Sequence, residues 1–193
     1  MKIKYGGKFN GDETTLPHRE HQPNAVQFKE AEDIQKFGII MNIVSFFVIV
    51  PLMIYVGLNS HGDIFQISIG AILSMLVLFP HEFLHAICFK ETVYVYTYMS
   101  KGLLFVVGDE IMTRKRFIFM SLLPNMVFGF IPFILFCFYP NWVVLGTFGA
   151  INIGSGVGDY YNVYNALIQM PKGALTYLYQ FHSYWFMPEE KLP

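Results

Sequence analysis

The segment "LVLFPHEFLHAICF", from Leu76 to Phe89, places two histidines and a glutamate inside an otherwise apolar run. His81, Glu82 and His85 spell H-E-x-x-H. On a helix, positions i and i+4 share a face, so both imidazoles can aim a nitrogen at one divalent cation. Glu82 is then close enough to take a proton from a water beside that cation. The spacing predicts a zinc site with His81 and His85 as ligands and Glu82 as the general base. The structural alternative has the histidines hydrogen-bonding neighbouring helices and Glu82 pairing with one of them. Ionisable groups in membrane-spanning runs are costly and usually functional, and three at metal spacing favour shared chemistry. Pro80 either kinks this helix beside the site or is simply tolerated there.

The elements that must carry these residues are apolar. Of 193 residues, 54% are hydrophobic and only 14% charged, against about 25% charged in ordinary soluble chains. A helix needs about 20 mostly apolar residues to cross a bilayer. Blocks 37–58, 64–89, 117–139 and 142–170 meet that length. The last carries Gly146, Gly149, Gly154, Gly156 and Gly158, so a kink or unwinding around "GSGVGD" is expected, along with close helix contact. The expected fold is therefore an all-α membrane protein of four transmembrane helices. The sequence "TVYVYTYM" (92–99), then Ser100-Lys101-Gly102 and "LLFVV", predicts a small β-hairpin between the second and third spans. The alternative there is an irregular interfacial loop.

The basic residues segregate. Six of the 13 precede the first span, five lie between the second and third, and two follow the fourth. Four crossings put all 13 on one side, which the positive-inside rule makes cytoplasmic, with both termini there. Residues 1–36 read as a mobile cytoplasmic arm with a short helix over 24–36 and no signal peptide. Residues 37–176 read as the membrane domain and 177–193 as a cytoplasmic tail, with Tyr184, Trp185 and Phe186 as interfacial anchors. The net charge of -1 gives no basic field for nucleic acid. Cys88 and Cys137 sit in apolar runs and suggest no disulfide framework.

Catalytic zinc usually takes three protein ligands and a water. The spans contain two acidic residues, Glu82 and Asp159. His81 lies 17 residues past Ile64, and Asp159 lies 17 past Trp142. Both are then about 25 Å along helices that enter from outside, so their depths match. Asp159 is the expected third ligand; the alternative is an aspartate capping a broken helix after Gly158. Asn162, one turn beyond Asp159, is a candidate for substrate contact or for supporting the metal site. Cys88 shares the histidine face but is the type of residue usually buried and inert. Asp109 and Glu110 read as surface charges, and His18, His21, His61 and His182 have no local ligand pattern.

A membrane-embedded H-E-x-x-H with an aspartate on a later span resembles the site-2-type intramembrane metalloproteases. "FPHEFLHAICF", "SLLPN" (121–125) and "GSGVGDYYNVYNALIQMPKGA" (154–174) resemble more closely the "putative zincin peptidase" family of small bacterial four-span proteins. The resemblance covers most of the chain from Phe37 on. Site-2 proteases typically read N-P-x-x-x-x-L-D-G at the later motif; here Asn152 and Asp159 echo it, with Gly158 before and Tyr160 after the aspartate. The resemblance implies zinc on His81, His85 and Asp159, catalysis by Glu82, and a multi-pass bacterial membrane protein acting on a protein or peptide substrate. Asn125 and Asn152 join Asn162 as candidates around the site.

Peptide hydrolysis near the cytoplasmic membrane face is the expected reaction. The principal alternative is a non-catalytic metal-binding membrane protein: a sensor, an assembly factor or a degenerate peptidase. A third class, a transporter or channel subunit, fits less well because the ionisable groups gather at one depth and line no path. Glu82 has no ligand role to fill, which favours hydrolysis.

Overall fold

The computed structural model describes residues 2–31, 34–60, 63–99 and 102–189. Ser100 and Lys101, expected at the hairpin turn, lie outside the described residues, together with His61 and Lys191. The chain divides into two compact units, Met1–Glu30, Glu82–Met120 and Asn162–Pro193 in one, Ala31–His81 and Ser121–Tyr161 in the other.

The first unit holds every described strand, so the all-α expectation is corrected. Strands β1 (Lys2–Lys8), β3 (Thr92–Tyr98) and β4 (Leu103–Val107) form one sheet in the order β1-β3-β4. Strands β2 (Val26–Gln27), β5 (Met112–Thr113), β6 (Leu175–Tyr179) and β7 (His182–Phe186) form a second, in the order β2-β7-β6-β5. β3 and β4 pair antiparallel where a hairpin is expected, but β1 adds to them in parallel, Lys2 opposite Thr92 and Lys8 opposite Thr97. The β-branched and aromatic run of β3 suits a central strand. β1 alternates lysine with Ile3 and Tyr5 and is exposed along nearly its whole length, the habit of a charged edge strand. A shift of register between Tyr5 and Gly7 bulges it, and at Gly6 a Cβ would lie 2.4 Å from the Tyr96 ring.

The expected mobile arm is thus folded. Phe9, Leu16 and Phe28 are buried, Phe9 and Leu16 against Tyr96 and Val107 and Phe28 against Ala166, Met170 and Ala174. No helix spans 24–36: Asn24 turns with a φ of 56°, β2 follows, and the first long helix begins at Ile34. The tail residues Tyr184, Trp185 and Phe186 lie in β7, with Phe186 buried and Trp185 against the Phe28 cluster.

The second unit is built from apolar helices, and three of those described next divide between the two units. α1 (Ile34–Asn59) contains a candidate crossing over Lys36–Asn59 with mean hydropathy 2.5. α2 (Ile64–Leu76) and α3 (Leu78–Ile87) are one apolar stretch bent by 46°. The break falls at Val77, so Pro80 sits in the first turn of α3, where its missing N–H costs no helical bond. α4 (Arg114–Pro124), a π-helical turn (Asn125–Phe130) and α5 (Ile131–Phe138) make a second candidate crossing. α6 (Val143–Ser155) is apolar but short, and α7 (Val157–Gln169) starts anew after Gly156. Among the described residues two helices are long and apolar enough to cross a membrane, three if the bent pair counts as one.

α6 packs by close approach. A Cβ at Gly149 would lie 2.6 Å from the Phe133 backbone nitrogen, and one at Gly154 would lie 2.2 Å from Ile49. Its Val143 and Ala150 share a buried cluster with Val56 of α1 and Phe136 of α5. Asn152 donates to the Phe148 carbonyl at 2.7 Å and to the Ser74 hydroxyl at 3.3 Å, so it ties α6 to α2.

Candidate metal centre

α3 carries H-E-x-x-H on its second and third turns, and His81 and His85 are both half-buried on it. The unit boundary falls within this continuous helix, after His81. α7 brings Asp159 into its first turn, directly after the break at Gly156. His81 Nε2 lies 3.2 Å from Asp159 Oδ2. One ligand atom from each of His81, His85 and Asp159 lies within 4.8 Å of the other two. Glu82 is half-buried, one residue along α3.

The donor set fits zinc. Two nitrogens or oxygens at about 2.0–2.1 Å from a tetrahedral centre lie about 3.3 Å apart, close to the His81–Asp159 separation. His85 Nδ1 lies 3.0 Å from the Met120 carbonyl oxygen. A carbonyl only accepts, so Nδ1 carries the proton and Nε2 keeps its lone pair for a metal.

Asp159 is held by a residue on the π-helical turn. Asn125 Nδ2 donates to Asp159 Oδ2 at 2.7 Å and to the Ser121 carbonyl at 3.2 Å, and the side chain is buried. π-turns recur at functional sites because they re-aim a side chain. Asn125 Oδ1 is buried without a hydrogen bond and faces Gly156, where a Cβ would lie 1.7 Å away. Gly156 therefore does two jobs: it ends α6 and leaves room for the amide that holds Asp159. The anticipated helix break is real, but Asp159 lies inside α7 rather than before it.

The remaining candidates fall elsewhere. Asn152 serves the α6–α2 contact. Asn162 is half-buried on α7. Cys88 follows the end of α3, its thiol bonded to the Leu84 carbonyl at 3.4 Å, and both cysteines are free thiols. Asp109 faces Arg19 at 3.8 Å. His18 and His21 pack on Tyr179, and His182 lies 3.7 Å from both Glu13 and Glu30.

Glu110, expected at the surface, is 5% exposed. It pairs with Arg116 and accepts the backbone N–H groups of Lys90 at 2.6 Å and Glu91 at 2.9 Å. Arg116 also donates from Nε to the Cys88 carbonyl at 3.1 Å. Together they cap the C-terminal end of the H-E-x-x-H helix, where a cation complements the helix dipole. Sequence reading missed this cap because its members are 28 residues apart. Burial acts to raise the Glu110 pKa, but the Arg116 contact and the two backbone donors together hold it below its ordinary value of 4.5. A group depressed on folding adds stability above its unfolded pKa and loses it as pH falls through the folded one. The melting-temperature gap between wild type and Glu110→Gln should therefore narrow as pH drops from about 7 to about 3. A constant gap across that range would remove ionisation of Glu110 from the cap.

No curated protein and no solved structure matches the chain. A family profile described as "Putative zincin peptidase" matches residues 74–175, from the α2–α3 region through α7 to the start of β6. That span is just over half of the chain and includes His81, Glu82, His85, Asn125 and Asp159. The chain belongs to the "putative zincin peptidase" family, whose description is that of a metallopeptidase and implies zinc.

Proposed function

We propose that the chain is a membrane-embedded zinc metallopeptidase that hydrolyses peptide bonds near the cytoplasmic membrane face. The observation that carries this reading is the convergence of His81, His85 and Asp159 ligand atoms within 4.8 Å, beside a glutamate at H-E-x-x-H spacing. His81, His85 and Asp159 would hold the metal. Zinc, when bound, supplies a Lewis acid that acidifies water and polarises a carbonyl. Glu82 takes the water proton and returns it to the leaving amine. Asn125 keeps the Asp159 carboxylate aimed at His81, and the Met120 carbonyl keeps the His85 ring turned.

Sheet topology supports four crossings. An open sheet cannot lie in hydrocarbon, so strands of one sheet share a side of the membrane. β1 precedes α1 and β3 follows α3, yet they are neighbours. If α1 crosses, the bent α2–α3 pair must return. β5 precedes α4 and β6 follows α7, yet they also pair. The Arg114–Phe138 crossing then requires a return through α6 and α7. Four crossings place all 13 basic residues on the strand side, which the positive-inside rule makes cytoplasmic.

The test is metal content with hydrolysis. Purified wild type in lipid nanodiscs should hold one zinc per chain and cleave a peptide library in a chelator-sensitive way. His81→Ala and Asp159→Ala should each lower zinc affinity by at least about 10-fold. Wild-type affinity in the Asp159 variant would remove that residue from the ligand set; zinc without cleavage would return the protein to a metal-binding role.

A further inference from the structure

We propose that Pro124 is a positioning residue for the metal centre: by lacking an N–H, it releases the Met120 carbonyl that fixes the His85 ring. The inference rests on the assignment of His85 as a zinc ligand.

In an α-helix the N–H of residue i donates to the carbonyl of residue i−4. α4 runs from Arg114 to Pro124, so the natural donor to the Met120 carbonyl is residue 124. Proline has no N–H, and its ring pushes away from the i−4 carbonyl. Met120 packs against the buried Ala86, Phe89, Val93 and Met112, and a carbonyl left unpaired in such surroundings is costly. His85 Nδ1 occupies the Met120 oxygen at 3.0 Å. A helix defect and a metal ligand thus complete each other. The bond commits the imidazole proton to Nδ1 and leaves Nε2 as the lone-pair nitrogen, which a zinc ligand requires.

The same stretch of chain serves the other ligand. Pro124 is fully buried, and the π-helical turn starts at the next residue, Asn125, whose amide donates to Asp159. Pro124 therefore stands between the anchor for His85 and the anchor for Asp159. An alanine there would regain an N–H, close the regular bond to Met120 and draw the carbonyl back toward the helix axis. His85 would then share its acceptor, and its ring would be free to turn or to change tautomer.

The test uses the full chain in nanodiscs with two replacements that differ by one N–H group. Pro124→Ala restores the donor. Lactic acid at position 124 gives the same methyl group on an ester, with no donor. Zinc affinity is read by chelator competition, and ligand geometry by the visible absorption of the cobalt-substituted protein. Pro124→Ala should bind zinc about 10- to 100-fold more weakly, the range for losing an outer hydrogen bond to a ligand histidine. Its cobalt spectrum should shift, and the lactate variant should recover most of both. Equal affinity in wild type and Pro124→Ala would overturn the proposal, as would equal loss in the alanine and lactate variants. Should Pro124→Ala fail to fold, nitrogen NMR of histidine-labelled, metal-free wild type still decides: a His85 proton on Nε2 refutes it. His85→Ala separates the two levels. Loss of zinc there with none in Pro124→Ala sinks this inference alone, whereas full zinc binding by His85→Ala sinks the ligand assignment itself.

Discussion

Glu82→Gln should cut peptide hydrolysis by orders of magnitude and leave one zinc per chain. Glutamine keeps the size and shape of the glutamate side chain but cannot accept and return a proton. Positioned acid–base groups contribute about 10²- to 10⁴-fold to rate, so turnover should fall by that factor. Zinc content should hold because the converging ligand atoms come from His81, His85 and Asp159, with Glu82 one residue along the helix. A fluorogenic peptide assay beside metal analysis separates the outcomes. Wild-type turnover in the variant would end the general-base assignment, and loss of zinc together with turnover would make Glu82 a ligand.

Gly156→Ala should be among the most damaging single methyl additions in the protein, and Gly158→Ala should be harmless. At Gly156 the new Cβ would lie 1.7 Å from Asn125 Oδ1 and 2.5 Å from Asn125 Cγ. Asn125 is buried and bonded to both Ser121 and Asp159, so it cannot swing aside without breaking the bond that holds the carboxylate. Overpacking of a filled core costs about 1–3 kcal/mol, and loss of an outer hydrogen bond to a ligand lowers metal affinity by about 10- to 100-fold. A Cβ at Gly158 meets nothing within 4 Å, and alanine there gains about 1 kcal/mol in helix propensity. Thermal unfolding and zinc competition on both variants check the contrast. Equal behaviour of the two would mean that Asn125 is not locked against Gly156.

The grouping of His81, His85 and Asp159 was legible because helical spacing acts locally and ionisable groups stand out in apolar runs. H-E-x-x-H fixes two imidazoles on one helix face without reference to the rest of the fold. Asp159 was reachable because a single acid on the last apolar block stood at a matching depth. Its orientation was not, since Asn125 approaches from a π-turn that no periodicity announces. The sheets were obscured for a different reason. β1 is an exposed, lysine-bearing edge, so it lacks the apolar alternation that marks a half-buried strand. β2 and β5 are two residues each, too short for any pattern. Glu110 looked like an ordinary exposed acid because its partners are an arginine on the next helix and backbone groups 19 and 20 residues upstream. Pro124 was visible in "SLLPN", yet what its missing donor frees depends on which side chain arrives from elsewhere.

The parallel pairing of β1 with β3 sets an order of events during synthesis. Lys2 pairs with Thr92 and Lys8 with Thr97, so the first strand leaves the ribosome long before its partner exists. At about 5–20 residues per second, it waits several seconds while the apolar helices α1, α2 and α3 are translated. Its lysines suit that wait, since a charged edge resists pairing with other nascent chains. β2 waits longer still, because its partner β7 follows every one of the apolar helices in the chain.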